Sequence, residues 1–580
     1  MDAPASPLPD RHRQSFGDAR EAAEFALMLE RFEKGEIGAD DYRQYRLSRG
    51  VYGQRQDGVH MVRAKVPAGV LSAAQLRVLA DCATSFSRGY GHVTTRQNFQ
   101  FHFVKPADLP PFLAALAGCG LTTREACSHT VRNVVACAEA GVCAKADVDV
   151  TGYAEAIARH FLRGPLGSGL PRKFKINLSG CAADCARGAM QDIGVLAHVR
   201  EGRRVFRVLA GGGTATFARA AVVLEEHLPP EQLLAACEAV LRVFNAEGDR
   251  GNLQKARLKW VVHRLGPEAF RAAYRRELEA VLAAGGRPFA VDDADEEPPR
   301  HPRHAPAADP LPARFLAWRD AQVREQRQTG FLSATVFLRL GDISASQLGA
   351  VADLCERHGD GTARTTVGQN LLLRWVADEQ LYPLWLGLDA HGLGEAHAER
   401  VSDVTSCPGA ETCRIAVTAS RGVAQLVGDH LRQIDADSGA AAQADIKVSG
   451  CPNGCGQHHV ATIGLQGAVR KVGGKLAPQY QLSIGGGVDE RGAVFGRVVA
   501  RVPVRRVPQA IDRLLDHYAA TRHADESPRA FFQRLDPAAA ARLIEDLTVL
   551  TEENAAPEDF VDVGSSVAFQ VVTLDGECSQ

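Results

Sequence analysis

The sequence predicts a mixed α+β fold built as an internal duplication, with two sheet-and-helix modules in each half. Three observations carry this prediction. A pattern of four cysteines occurs twice, every member offset by 270 residues. Residues 66–103 and 339–376 share one order: an apolar strand, a helix opened by serine, a turn and a second strand. Apolar runs ending in glycine triplets, RVLAGGG (207–213) and QLSIGGG (481–487), close both halves.

In chain order, residues 1–18 are expected to be disordered, and residues 19–34 to form an amphipathic helix. The first half divides at 19–125 and 126–285, the second at 313–395 and 396–552. Between them, residues 286–312 hold seven prolines and the acidic run DDADEE, and read as a linker. Ser72 and Ser344 stand directly before helical periodicity, where a hydroxyl caps free backbone N–H groups. Each following strand opens on a Gln-Asn pair, Gln97-Asn98 and Gln369-Asn370. Strands DIGVLA (192–197) and TIGLQG (462–467) follow the second cysteine pairs, and residues 230–244 and 508–519 read as helices. The tail, 553–580, is acidic and turn-rich, and carries Cys578.

The cysteine sets are VACAEAGVCAKA with LSGCAADCARGA, and TSCPGAETCRIAV with VSGCPNGCGQHH. They supply Cys137, Cys143, Cys181 and Cys185, then Cys407, Cys413, Cys451 and Cys455, with 37 residues between the pairs of either set. Four thiolates on two short loops suit an iron–sulfur cluster. Structural zinc prefers closer pairs than C-x5-C. Disulfides need an oxidising compartment. The N-terminal segment has no apolar run of a signal peptide, and no stretch approaches the roughly 20 apolar residues of a membrane span. A cytoplasmic protein with reduced thiols is therefore expected. A net charge of -2 gives no general argument for nucleic acid or membrane partners.

These motifs resemble the sirohaem-dependent nitrite and sulfite reductases. TSCPGAETC followed by VSGCPNGCG carries the resemblance in the second half. In the first half it is carried by MVRAKVPAGV (61–70), TTRQNFQFH (94–102), RNV (132–134), LPRKFK (170–175) and KARLKW (255–260). It spans about residues 40–550. It implies a duplicated nitrite/sulfite reductase fold, with ferredoxin-like modules at 19–125 and 313–395 and sirohaem/cluster modules at 126–285 and 396–552. It further implies one active site made by both halves. Cys407, Cys413, Cys451 and Cys455 would hold a [4Fe-4S] cluster, with Cys455 also the axial ligand of the sirohaem iron. Arg63, Arg132, Lys173 and Lys175 would face the substrate, while Arg96, Lys255, Arg257 and Lys259 would pair with sirohaem carboxylates. The chemistry agrees: arginine binds carboxylates in bidentate fashion, and lysines near substrate oxygens donate protons.

The first cysteine set departs from the family pattern, in which only the second half carries a cluster. Cys137, Cys143, Cys181 and Cys185 are read in three ways: a second [4Fe-4S] cluster, free buried thiols left from the duplication, or another metal. A second complete active site is not expected. Where the first half has Arg132, Lys173 and Lys175, the second has Ser402, Gln443 and Asp445. An aspartate there repels an anionic tetrapyrrole and an anionic substrate alike.

The function expected is a sulfite reductase haemoprotein that takes sulfite to sulfide. The alternatives are nitrite reduction to ammonia on the same site, and a non-catalytic electron-transfer protein. No nicotinamide or flavin fingerprint occurs, so electrons are expected from a partner, a ferredoxin or a flavoprotein subunit.

Overall fold

The computed structural model describes residues 15–286, 291, 298–299, 310–574 and 577. The expectations for residues 1–14, for most of the linker and for Cys578 lie outside the described residues. The amphipathic helix is present as Ala19–Glu33, capped by the Asp18 carboxylate, which accepts from the Arg20 N–H.

The ferredoxin-like modules form two antiparallel five-stranded sheets. In one, strands Val51–Gly53, His60–Ala64, Phe99–Val104 and Tyr90–Val93 are joined at the edge by Asp342–Ser344 from the other half. In the other, Val323–Glu325, Phe331–Val336, Leu371–Ala377 and Thr362–Thr365 are joined by Val70–Ser72. Each half thus lends a short strand to its twin, with Ile343 opposite Gly91 and Leu71 opposite Ala363. The exchange covers edges that would otherwise expose unpaired backbone groups. The two sheets share one core, in which Leu71, Phe99 and Phe101 pack in the same cluster as Val336, Ile343 and Leu373. Pulling the halves apart would return these side chains to water, at roughly 1.5–3 kcal/mol each.

The helices Ala73–Phe86 and Ala345–His358 open as expected. The Gln75 N–H donates to Ser72 Oγ at 3.2 Å and the Ser72 N–H to Gln75 Oε1 at 3.0 Å. Gln347 and Ser344 repeat both bonds at the same lengths.

The cluster modules are mixed five-stranded sheets. Strands Val131–Ala136, Phe174–Ser179 and Ile193–Arg200 run parallel, followed by antiparallel Arg203–Ala210 and Val222–Leu228. The second half repeats this with Thr405–Ser406, Ile446–Ser449, Ile463–Val472, Lys475–Ile484 and Arg497–Pro503. Each sheet has its own core. The cysteine loops leave the ends of the parallel strands, where open α/β sheets form their sites. No helix among the described residues is long and apolar enough to cross a membrane.

The Gln-Asn pairs tie the modules together. Gln97, at φ 59°, accepts from the Ala136 N–H at 3.0 Å and donates to the carbonyls of Ala136 and Thr365 at 2.9 and 2.7 Å. Gln369, at φ 71°, accepts from the Ser406 N–H at 2.9 Å and donates to the Val93 carbonyl at 3.0 Å. Ala136 and Ser406 immediately precede Cys137 and Cys407, so each glutamine fixes the start of a cysteine loop. Replacing Gln369 by Leu strands a buried N–H and a buried carbonyl, at about 1–3 kcal/mol each. We expect a lower urea midpoint for Gln369→Leu; an unchanged midpoint would contradict this anchoring role.

Candidate active site

In the second half the four thiols are brought together by backbone hydrogen bonds. The Cys407 N–H donates to the Val448 carbonyl at 3.3 Å, and the Cys413 N–H to the Gly409 carbonyl at 2.9 Å. The Gly456 N–H donates to Ser449 Oγ at 3.1 Å. Two glycines are required here. A Cβ on Gly409, at φ 60°, would lie 2.3 Å from Ser420 Oγ, and one on Gly450 would lie 2.6 Å from the Thr418 carbonyl oxygen. Cys407 Sγ meets Ser420 Oγ at 3.2 Å and receives the Gly450 N–H at 3.4 Å. Burial, then the neighbouring Cys455, Cys407 and Cys413, push the Cys451 thiol far above its ordinary range. Cys407 and Cys451 are buried, while Cys455 stays exposed at the tip of its loop.

The cations come from the first half. Arg63 lies on His60–Ala64, Arg132 on Val131–Ala136 and Lys175 on Phe174–Ser179. Arg63 and Arg132 both donate to the Ala126 carbonyl, at 3.3 and 3.0 Å, which sets the guanidinium groups side by side. Arg132 also donates to the Ser128 carbonyl at 2.7 Å. Gln100, with its amide oxygen turned towards Arg63, accepts from Nη2 at 2.6 Å. Arg96 reaches Asn177 Oδ1 at 2.9 Å and the Asn133 carbonyl at 2.5 Å.

These groups crowd one another. Burial lowers Arg96 to about 9, and Arg132, Arg257 and Arg63 add to the shift. Burial drives Lys175 well below an ordinary lysine, helped by Arg257, Arg96 and Lys173. Lys259 falls to about 7 through burial, then through Arg257 and Lys173. The carboxylate set among them is Asp192. It pairs with Arg257 at 2.8 Å and accepts the Lys175 backbone N–H at 3.0 Å. Lys259 Nζ donates to the carbonyls of Thr214 and Phe217. Lys255 is not drawn into the group; it is exposed, 5.8 Å from the Trp260 ring centroid.

A junction holds these cations against the second-half thiols. Thr95 Oγ1 donates to the Cys455 carbonyl at 2.9 Å, and Gln457 Nε2 donates to the Thr95 carbonyl at 3.2 Å. Arg187 donates to Gln457 Oε1 across the boundary between the halves. Arg96 follows Thr95, so its position is fixed relative to Cys455. The structure thus brings together Arg63, Arg96, Arg132, Lys173, Lys175, Arg257 and Lys259. Asp192, Asn177, Thr95 and Gln457 are members that the motif reading missed. Asp192 opens the strand DIGVLA, which stood out only as a repeat.

The second half has no matching cation group at the repeat positions. Asp445 forms an ion pair with Lys447 and accepts from Thr462 Oγ1 at 2.6 Å. Burial raises Asp403 to about 7.

The residues fit the cofactors that the motifs imply. Arg132, Arg257 and Lys259 are buried and Arg96 and Lys175 partly so, a cationic group that suits a polyanion such as sirohaem. Buried polar atoms of the same group, Arg96 Nε and Asn133 Oδ1, lack partners within the protein. The four thiols of the second half are a donor set suited to iron.

Residues 127–282 and 397–546 match the family described as "Nitrite and sulphite reductase 4Fe-4S domain". Residues 52–119 and 324–391 match "Nitrite/Sulfite reductase ferredoxin-like half domain". The chain is 30% identical over 478 residues to the sulfite reductase [ferredoxin] of Mycobacterium tuberculosis, covering 81% of this chain and 80% of that protein. It is 28% identical over 479 residues to the ferredoxin–nitrite reductase of Leptolyngbya laminosa, covering 80% and 87%. The solved structure of the Mycobacterium tuberculosis NirA protein aligns with a TM-score of 0.74 and 26% identity, over 92% of this chain and 98% of that one.

The depressed lysines give a pH-dependent prediction. A bound polyanion favours their ammonium forms, so sirohaem uptake by the apoprotein above pH 7 must draw protons from solution. Affinity should fall as pH rises from about 7 towards the ordinary lysine value of about 10. Calorimetric titration in buffers of different ionisation enthalpy measures the protons taken up. No uptake at pH 8 would contradict the charge assignment.

Proposed function

The chain belongs to the nitrite and sulfite reductase family, whose members carry sirohaem and a [4Fe-4S] cluster, and is an oxidoreductase; from that premise we propose that it reduces sulfite to sulfide. The observation that carries the proposal is the grouping of Arg63, Arg132, Lys173 and Lys175 about Arg96, which follows Thr95, the residue bonded to the Cys455 carbonyl. Sulfite near neutral pH carries more negative charge than nitrite, and a dense cation group favours the more highly charged anion. Nitrite reduction to ammonia is the second reading, favoured by relatives bearing that name.

In this reading Arg63 and Arg132 hold the anion by their guanidinium forks. Lys173 and Lys175 donate protons to the oxygens that leave as water. Lys175 stands beside Lys173, Arg96 and Arg257, so its ammonium belongs to the same anion-binding group. Sirohaem and the cluster, when bound, supply the single-electron chemistry. Cys407, Cys413, Cys451 and Cys455 would hold the cluster, with Cys455 shared, and Arg96, Arg257 and Lys259 would balance the tetrapyrrole carboxylates. Asp192 keeps Arg257 in place through their ion pair. Lys255 remains outside these roles. The electron donor is proposed to be a ferredoxin, on the names of the relatives.

The test compares kcat/KM for sulfite and nitrite in the loaded protein with reduced ferredoxin. We expect sulfite to be preferred by about tenfold or more; a preference for nitrite would move the assignment to nitrite reductase. Lys175→Met should keep its sirohaem absorbance and lose about 100-fold in kcat for sulfite, the typical cost of one transition-state donor. Unchanged turnover would remove Lys175 from the mechanism.

A further inference from the structure

We propose that Cys137, Cys143, Cys181 and Cys185 hold a second [4Fe-4S] cluster, one that carries no sirohaem. The inference rests on the second-half thiols holding a cluster, because the two cradles agree bond by bond.

The Cys137 N–H donates to the Leu178 carbonyl at 3.0 Å, as Cys407 does to Val448 at 3.3 Å. The Cys143 N–H donates to Glu139 at 2.8 Å, as Cys413 does to Gly409 at 2.9 Å. The Ala186 N–H donates to Ser179 Oγ at 3.1 Å, the same bond and length as Gly456 to Ser449. A Cβ on Gly180 would lie 2.4 Å from the Val148 carbonyl oxygen, and one on Gly450 lies equally close to Thr418 at 2.6 Å. Arg187 and Gln457, two residues past the last cysteines, share a left-handed backbone at φ 59° and 64°. The two loops therefore present their thiols in one frame.

The thiols themselves are grouped. Cys185 Sγ lies 2.8 Å from Cys137 Sγ, and Cys181 is hydrogen-bonded to Cys185. Cys143 lies within electrostatic reach of Cys137 and Cys181. Cys237, on helix Leu233–Glu247, is fully buried with no cysteine beside it in this group, whereas Cys137, at the edge of the same core, meets Cys185. Cys185 is exposed, as Cys455 is at the same place in the second set. Among the described residues, no three His, Cys, Asp or Glu side chains are arranged to hold a single metal ion.

A tetrapyrrole has no place on this cradle. The repeat positions that would face it are Ser402, Gln443 and Asp445, and Asp445 already holds Lys447.

The test counts iron, acid-labile sulfide, zinc and sirohaem per chain in the full-length protein, purified without air. We expect about nine iron atoms and about eight sulfides beside one sirohaem. The double variant Cys181→Ser, Cys185→Ser should fall to about five irons and about four sulfides with its sirohaem absorbance intact. The mirror variant Cys451→Ser, Cys455→Ser should lose sirohaem and keep about four irons. About five irons in the wild-type protein, bound zinc, or a disulfide between Cys137 and Cys185 would overturn the proposal. The wild-type count decides by itself if a variant does not accumulate. A wild-type protein with about eight sulfides and no sirohaem would count against the catalytic reading and leave this one standing.

Discussion

Cations crowded into one partly buried group favour an anion from outside, and this constraint organises the molecule. Asp192 neutralises Arg257, while Arg63, Arg96, Arg132, Lys173, Lys175 and Lys259 crowd around the pair. Removing charge from water is costly unless it is paired. A polyanionic cofactor and a small anionic substrate meet that need together. Burial and this crowding together hold Lys175 and Lys259 below the ordinary lysine range.

Duplication supplies the frame, and divergence supplies the function. The exchanged strands Val70–Ser72 and Asp342–Ser344 bind the halves into one core. Gln97 and Gln369 then fix the beginning of each cysteine loop from the neighbouring module. On this symmetric frame the halves have parted. The first holds the cations, whereas the second has Asp445 at the position of Lys175 and Ser402 at that of Arg132. Thr95 and Gln457 couple the first-half cations to the second-half thiols, so neither half makes the site alone.

Much of this was legible in the sequence because its signals are local. Cysteine spacing, serine caps and the offset between repeats all lie within short segments, and the duplicated α+β fold follows from them. The strand exchange was not legible: three-residue strands such as Val70–Ser72 have no periodicity to read. Nor was the coupling of Thr95 to Cys455, since residues 360 apart in sequence meet only through the fold. In KARLKW, spacing alone did not separate Lys255 from Lys259. Lys255 precedes the helix Leu258–Leu265 and turns to solvent over Trp260, while Lys259 lies within it and is buried. Asp192 was missed because a lone carboxylate just before a strand is ordinarily a solvated one.

The central claim is a single active site shared between the halves. An experimental structure of the loaded protein with a sulfite-like anion tests it most directly. The account predicts one sirohaem, its iron bound through Cys455 and its carboxylates met by Arg96 and Lys259, with the anion between Arg63, Arg132, Lys173 and Lys175. A sirohaem seated on Cys185, or an anion bound away from those four cations, would contradict it.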